Sequence, residues 1–153
     1  MMKHIKHPVP HKHQTTDYTC GPVCLEMLLD FYNIPYDSAE IEKLCEARPN
    51  IGTDNSRLVR AVCSLGETVV TKENASMNDI ITTLHAGHPV LVNYFNVRSG
   101  VGHFGIVKGM DDEHIILADP KNGDDYSIAI DDFKTVWHDH NKIQKSWMMY
   151  IDR

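Results

Sequence analysis

A glutamine at position 14 precedes a cysteine at position 20, and the cysteine opens a tight Cys20-Gly21-Pro22 turn. The apolar segment Val23-Cys24-Leu25-Glu26-Met27-Leu28-Leu29 follows at once. A thiol at a helix start ionises readily, because unpaired N–H groups and the helix dipole favour the thiolate. An amide side chain just upstream can donate to an oxyanion formed on a carbonyl. The chemistry implied is attack by Cys20 on an acyl carbon, with Gln14 as oxyanion donor. Such a nucleophile needs a base within reach, and the base needs a group that orients it.

His103 is the best candidate base. It stands in Gly102-His103-Phe104-Gly105, at the start of a strand, between small residues that leave room for a substrate backbone. Asp119 is the candidate orienter. A hairpin turning at Asp111-Asp112-Glu113 sets His103 opposite Asp119, and cross-strand neighbours lie about 4.5–5.5 Å apart. Pro120 restricts Asp119 to an extended conformation. Plainer readings exist for each residue. Cys20 suits a core as a small hydrophobe, His103 suits a core or a surface, Asp119 suits a turn before proline, and Gln14 suits a polar surface. The combination of all four in this order favours the chemical reading.

The remaining thiols and imidazoles carry less. Cys24 falls one helical turn after Cys20 on the inward face, where packing explains it. Cys45 and Cys63 fit the apolar faces of their own helices. Four cysteines make no disulfide scaffold here and match no zinc spacing. Reduced thiols in a cytoplasm-like compartment are the expectation. His4, His7, His11 and His13, and likewise His138 and His140, lack a carboxylate or thiolate to complete a metal set, so no metal or cofactor is expected. His85 and His88 flank Gly87 at a helix end, where the dipole suits them. Trp137 and Trp147 read as core.

Helices come first along the chain and strands second. Helical spacing covers 21–32, closed by Asn33-Ile34-Pro35. Asp37-Ser38-Ala39-Glu40 looks like a capping box for a helix to about Ala47. A third helix follows Thr53-Asp54 and stops at Gly66; a fourth opens at Ser76 and closes at Gly87. Residues 68–71, 89–95, 103–107, 114–118, 126–130 and 147–151 read as strands, and 131–137 as a short helix. The fold class is therefore α+β, with an N-terminal helical lobe packed on a C-terminal antiparallel sheet. Residues 1–13 are expected to form an extended His-rich arm, and 14–153 a single domain.

The chain has 153 residues, is 42% hydrophobic and 24% charged, and carries a formal net charge of −6. That is one soluble domain with a real core. Its acidic balance excludes a nucleic-acid footprint. No apolar run is long enough for a membrane span, and the N-terminus lacks the apolar stretch of a secretory signal. A cytoplasmic location is expected; the oligomeric state leaves no trace in the sequence.

Gln14 with Cys20-Gly21-Pro22, Gly102-His103-Phe104 before a strand, and Asp119-Pro120 together resemble the papain-like cysteine peptidases. Within them the chain is similar to the bacteriocin-processing (double-glycine leader) peptidase family. Ile51-Gly52-Thr53 and Leu84-His85-Ala86-Gly87-His88-Pro89-Val90-Leu91-Val92 match as well, so the resemblance spans about residues 10–152. Papain proper fits less well. Its histidine follows the cysteine by about 130–150 residues, a longer interval than that from Cys20 to His103, and its orienter is an asparagine. The resemblance implies a papain-like fold, a Cys20–His103–Asp119 triad with Gln14 in the oxyanion hole, and a peptide or protein substrate cut after small residues, often Gly-Gly. It also implies a free-standing member, since no exporter segment follows. Two alternatives stay open: acyl transfer to an amine through the same thioester, and a silent peptide-binding domain of this fold. The second is disfavoured because every triad position is kept.

Overall fold

The computed structural model describes residues 4–49, 53–139 and 145–153. Ile51, Gly52 and His140 lie outside the described residues. The elements, in chain order, are β1 (Ile5–Lys6), α1 (Cys20–Phe31), α2 (Ser38–Cys45), α3 (Asn55–Ser64), β2 (Val69–Lys72), α4 (Met77–His85), β3 (Val90–Asn96), β4 (Val101–Met110), β5 (His114–Asp119), β6 (Gly123–Ala129), α5 (Ile130–Val136) and β7 (Met148–Ile151). The expected α+β architecture is present: the strands form one antiparallel sheet in the order β2-β7-β3-β4-β5-β6, with β1 joined to β4.

The helix starts follow the polar residues before them. The Asp37 carboxylate accepts from the N–H groups of Ala39 and Glu40, and Asp54 accepts from Arg57 N. Ser76 and Asp79 bond reciprocally in a capping box. Helix α1 ends at Phe31, and Asn33 just beyond it, with a φ of 57°, closes the turn. The helix's burial is not confined to one face. Met27 is fully buried alongside Cys24, Leu25, Leu28 and Leu29, because α1 is enclosed by the sheet on one side and by α2 and α3 on the other.

The sheet is covered on both faces. Leu91, Phe104, Ile106, Ala118 and Met149 face α1–α3. Val90, Val92, Tyr94, Val107 and Leu117 face α4 and α5 through Ile80, Leu84, Phe133 and Trp137. This explains the nearly unbroken apolar run of β3, since a strand buried on both faces needs no alternation. Trp137 and Trp147 are core residues, joined by a 2.9 Å bond from Trp137 Nε1 to Trp147 O. Among the described residues no helix is long and apolar enough to cross a membrane.

The arm is laid along the domain. Ile5 and Lys6 pair with Met110 and Gly109, beyond the point where β3 stops pairing with β4 at Val107. Gly109 permits this approach: a Cβ there would stand 2.3 Å from Ile5 O. His7 N donates to Lys108 O at 2.7 Å, and its ring bonds Leu84 O at 2.8 Å. Val9 is buried, and Lys12 donates to the buried Glu26 at 2.6 Å. The His7 imidazole thus ties these residues to the fold. His88 is similarly engaged, meeting Tyr32 Oη at 2.9 Å and stacking on Tyr150.

Candidate active site

Cys20 is the first residue of α1 and is partly exposed. No side chain caps this helix start; Thr19, the N-cap, engages Thr16 Oγ1 at 2.8 Å instead. The first-turn amides therefore face the thiol's surroundings without a competing cap. Gly21 is required by close packing. A Cβ there would lie 2.4 Å from Thr53 Cγ2, 3.0 Å from Leu58 Cδ2 and 3.5 Å from Phe104 Cδ2. The start of α1 thus docks directly on β4 beside His103, close enough for the Cys20 thiol to act on the His103 imidazole.

The other polar groups come from three adjacent strands. Tyr94 on β3 is paired with His103 on β4. Asp119 closes β5, but it does not stand opposite His103 as the simple hairpin predicts. Ile106 pairs with Ala118, so one further step sets Asp119 against Gly105, and His103 is its diagonal neighbour. The turn offsets the strands from the predicted register, pairing Met110 with Ile115, and a bulge at Lys108 between Val107 and Gly109 takes back one residue, which puts Asp119 on the same face as His103. The diagonal is still bridged: His103 Nε2 and Asp119 Oδ1 are 2.7 Å apart. An ionised carboxylate only accepts, so Nε2–H donates, and Nδ1 is left free of Asp119.

Both members of this pair are buried, His103 at 4% exposure and Asp119 at 0%. Burial works against the charged imidazole, yet hydrogen bonds to Asp119 and Cys20 outweigh it and lift the His103 pKa from 6.5 to about 9. Burial also pushes the Asp119 carboxyl up, and the His103, Tyr94 and Asn122 hydrogen bonds more than reverse it, holding the group below its ordinary value. Asp119 Oδ1 accepts from Lys121 N at 3.0 Å and Asn122 N at 2.9 Å, and Oδ2 accepts from Tyr94 Oη at 2.6 Å. Burial pushes Cys24 well up and Cys45 to about 12.

Gln14 is tied to the same region. Its backbone N donates to Pro120 O at 2.7 Å. Its side-chain Nε2 donates to Thr16 O at 2.6 Å, while Oε1 is buried with no hydrogen-bond partner. The amide has a second N–H, which Thr16 does not use. His11 also reaches the region, its Nε2 lying 2.8 Å from Asp119 O.

Sequence reasoning missed Tyr94 and Asn122, and it read Gly105 as room for a substrate rather than for Asp119. Tyr94 sits in the apolar β3 run and reads as core there. Its hydroxyl is the overlooked signal, because a buried phenol needs a partner. Of the secondary candidates, His138 stacks on Phe95 with centroids 5.4 Å apart.

Comparison with known proteins shows the family and the fold. The Peptidase C39 family profile matches residues 8–142. An uncharacterized protein of Methanothermobacter marburgensis is 30% identical over 110 residues, 72% of this chain and 70% of the relative. Among solved structures, a C39-like peptidase of Bacillus anthracis superposes with a TM-score of 0.77 at 17% identity, covering 99% of both chains. A double-glycine motif protease of an AMS/PCAT transporter, in complex with the leader peptide, gives 0.72 at 15% identity over 100% of both. The peptidase domain of Streptococcus ComA gives 0.74 at 19%, covering 94% of this chain and 97% of that one. At these identities the structural likeness establishes the shared fold.

Proposed function

The chain belongs to the peptidase C39 family, and on that premise we propose that it is a cysteine peptidase using Cys20, His103 and Asp119 as a triad. The observation that carries the proposal is the buried His103–Asp119 hydrogen bond beside the uncapped start of α1, where the Cys20 thiol acts on the same imidazole. A charged imidazole beside a thiol favours the thiolate. Cys20 Sγ attacks the carbonyl carbon of a peptide bond, and the oxyanion is held by Cys20 N–H and the free N–H of the Gln14 amide. His103 gives its Nδ1 proton to the leaving amine as the C–N bond breaks. It then takes a proton from water, which attacks the thioester; the C–S bond breaks and the thiolate returns. Asp119 holds the imidazole in the tautomer with Nε2–H inward and stabilises its cationic form without itself being protonated.

The reading extends to cleavage after small residues such as Gly-Gly, supported by the double-glycine protease among the structural neighbours. It takes residues 14–153 as one peptidase domain and 1–13 as its arm. The four free cysteines suit a reducing, cytoplasm-like setting. Iodoacetamide is expected to alkylate Cys20 much faster than the buried Cys24 and Cys45 or the exposed Cys63. Mass spectrometry of proteome digests by wild type and Cys20→Ala reads both activity and preference. Equal labelling of all four thiols, or undiminished cleavage by Cys20→Ala, overturns the proposal.

A further inference from the structure

We propose that Tyr94 is a positioning residue for Asp119, held to that task by Asn122; the inference rests on the triad reading above. Asp119 is fully buried, so each carboxylate oxygen needs a donor. Oδ1 has three: His103 Nε2, Lys121 N and Asn122 N. Oδ2 is met by the Tyr94 hydroxyl at 2.6 Å. The direction of that bond is fixed by a second one. Asn122 Nδ2 donates to Tyr94 Oη at 3.1 Å, which occupies an acceptor site on the phenol and turns its proton toward Asp119. Asn122 therefore grips the unit twice, through its backbone at Oδ1 and through its side chain at Tyr94.

Tyr94 also touches the imidazole. Its ring stands edge-on to His103, with centroids 5.4 Å apart and planes at 89°. The ring limits rotation of His103 while the hydroxyl limits rotation of Asp119. A tyrosine present only for packing needs the ring alone; the hydroxyl is the part with a function here. Without it, Oδ2 becomes a buried, unsatisfied acceptor, and such an oxygen either turns away or takes a proton. In either case Asp119 no longer balances and aligns the His103 cation.

The groups facing Asp119 bear on any pH readout. They are His103 from β4, Tyr94 from β3, Cys24 from α1, and His11 of the arm at its backbone oxygen. Cys20 of α1 reaches it through His103, and Tyr126 of β6 acts on Tyr94. Apart from Tyr94 itself, none of these changes in Tyr94→Phe, which keeps the ring and removes the hydroxyl.

The test is the rate of Cys20 alkylation by iodoacetamide as a function of pH, on the full chain, with thermal melts in parallel. Tyr94→Phe is expected to move the acid limb of the profile upward by about one pH unit, a tenfold weaker hold on the reactive charge state. Asn122→Ala, which retains the backbone bond, shifts it less and in the same direction; it serves alone if Tyr94→Phe does not fold. A fast wild-type Cys20 with both variant profiles superimposed on it overturns the role of Tyr94 alone, whatever the melting temperatures do. A wild-type Cys20 no faster than Cys63 overturns the triad reading, and this inference with it.

Discussion

Gly105 lies directly under the carboxylate of Asp119. A Cβ at position 105 would stand 3.1 Å from Asp119 Oδ2, 2.9 Å from Leu117 Cδ2 and 3.4 Å from Tyr94 Cε1. The missing side chain is what lets Asp119 cross the sheet diagonally to His103. The second glycine of Gly102-His103-Phe104-Gly105 is thus part of the site's construction, two residues after the base on the same face of β4.

Gly105→Ala is therefore expected to displace the Asp119 carboxylate as well as crowd the core. The overpacking costs about 1–3 kcal/mol. Peptide cleavage should fall by more than that stability loss explains. Urea denaturation with cleavage rates measured well below the transition separates the two. Full activity in a folded Gly105→Ala protein contradicts the close-packing argument.

The buried His103–Asp119 pair makes stability depend on pH in a stated direction. His103 has a folded pKa of about 9 against 6.5 for the free group. Its contribution is therefore complete below pH 6.5 and is lost as pH rises toward 9. Asp119 is shifted down, so its contribution is present above pH 3.8 and is lost as pH falls through the lower folded value. The stability difference between wild type and His103→Gln should peak between about pH 4 and 6.5. It should shrink by about 3 kcal/mol by pH 9. A difference flat from pH 5 to 9 rules out the pairing.

What the sequence shows of this arrangement is what local pattern can carry. Cys20, His103 and Asp119 stand at element ends whose signals are short-range: a Gly-Pro helix start, a β-branched strand, an aspartate before proline. The register between His103 and Asp119 is different in kind. It depends on the Lys108 bulge, whose carbonyl is satisfied by His7 N and whose buried ammonium is paired with Asp124 and Asp125. Those partners are remote in sequence, so no window around the hairpin reveals them. The two-residue β1 is hidden for the same reason, its signal being the bare Cα of Gly109. Tyr94 escapes notice because hydrophobic pattern describes its ring and says nothing of its hydroxyl.

The arm's attachment to the helical lobe is tested at Lys12. Its Nζ lies 2.6 Å from Glu26 Oε1 and donates to Tyr36 Oη at 2.9 Å; Ser38 Oγ adds a bond to Glu26 at 3.1 Å. Glu26 is buried at 8% exposure, whereas the Lys12 side chain is 39% exposed, so water weakens the pair at one end. Lys12→Met leaves a buried carboxylate without its counter-charge and should cost about 1–3 kcal/mol. Adding Glu26→Gln should recover part of it, since an amide tolerates burial better than an unpaired charge. A double variant less stable than Lys12→Met means that Glu26 is held by something other than the lysine.

The oxyanion role proposed for Gln14 is distinguished by a pair of reactions at the same thiol. Peptide cleavage forms an oxyanion on the substrate carbonyl. Alkylation by iodoacetamide displaces iodide at a methylene carbon and forms none. Gln14→Ala should therefore slow peptide cleavage by about 10²–10³ while leaving the alkylation rate of Cys20 nearly unchanged. Its backbone bond to Pro120 O does not depend on the side chain, so the loop keeps its anchor. The buried Gln14 Oε1, unpartnered in the wild type, disappears with the amide and offsets some of the cost of losing the Thr16 bond. A parallel fall in both reactions assigns Gln14 to the shape of the 14–19 loop; a fall in cleavage alone assigns it to the oxyanion.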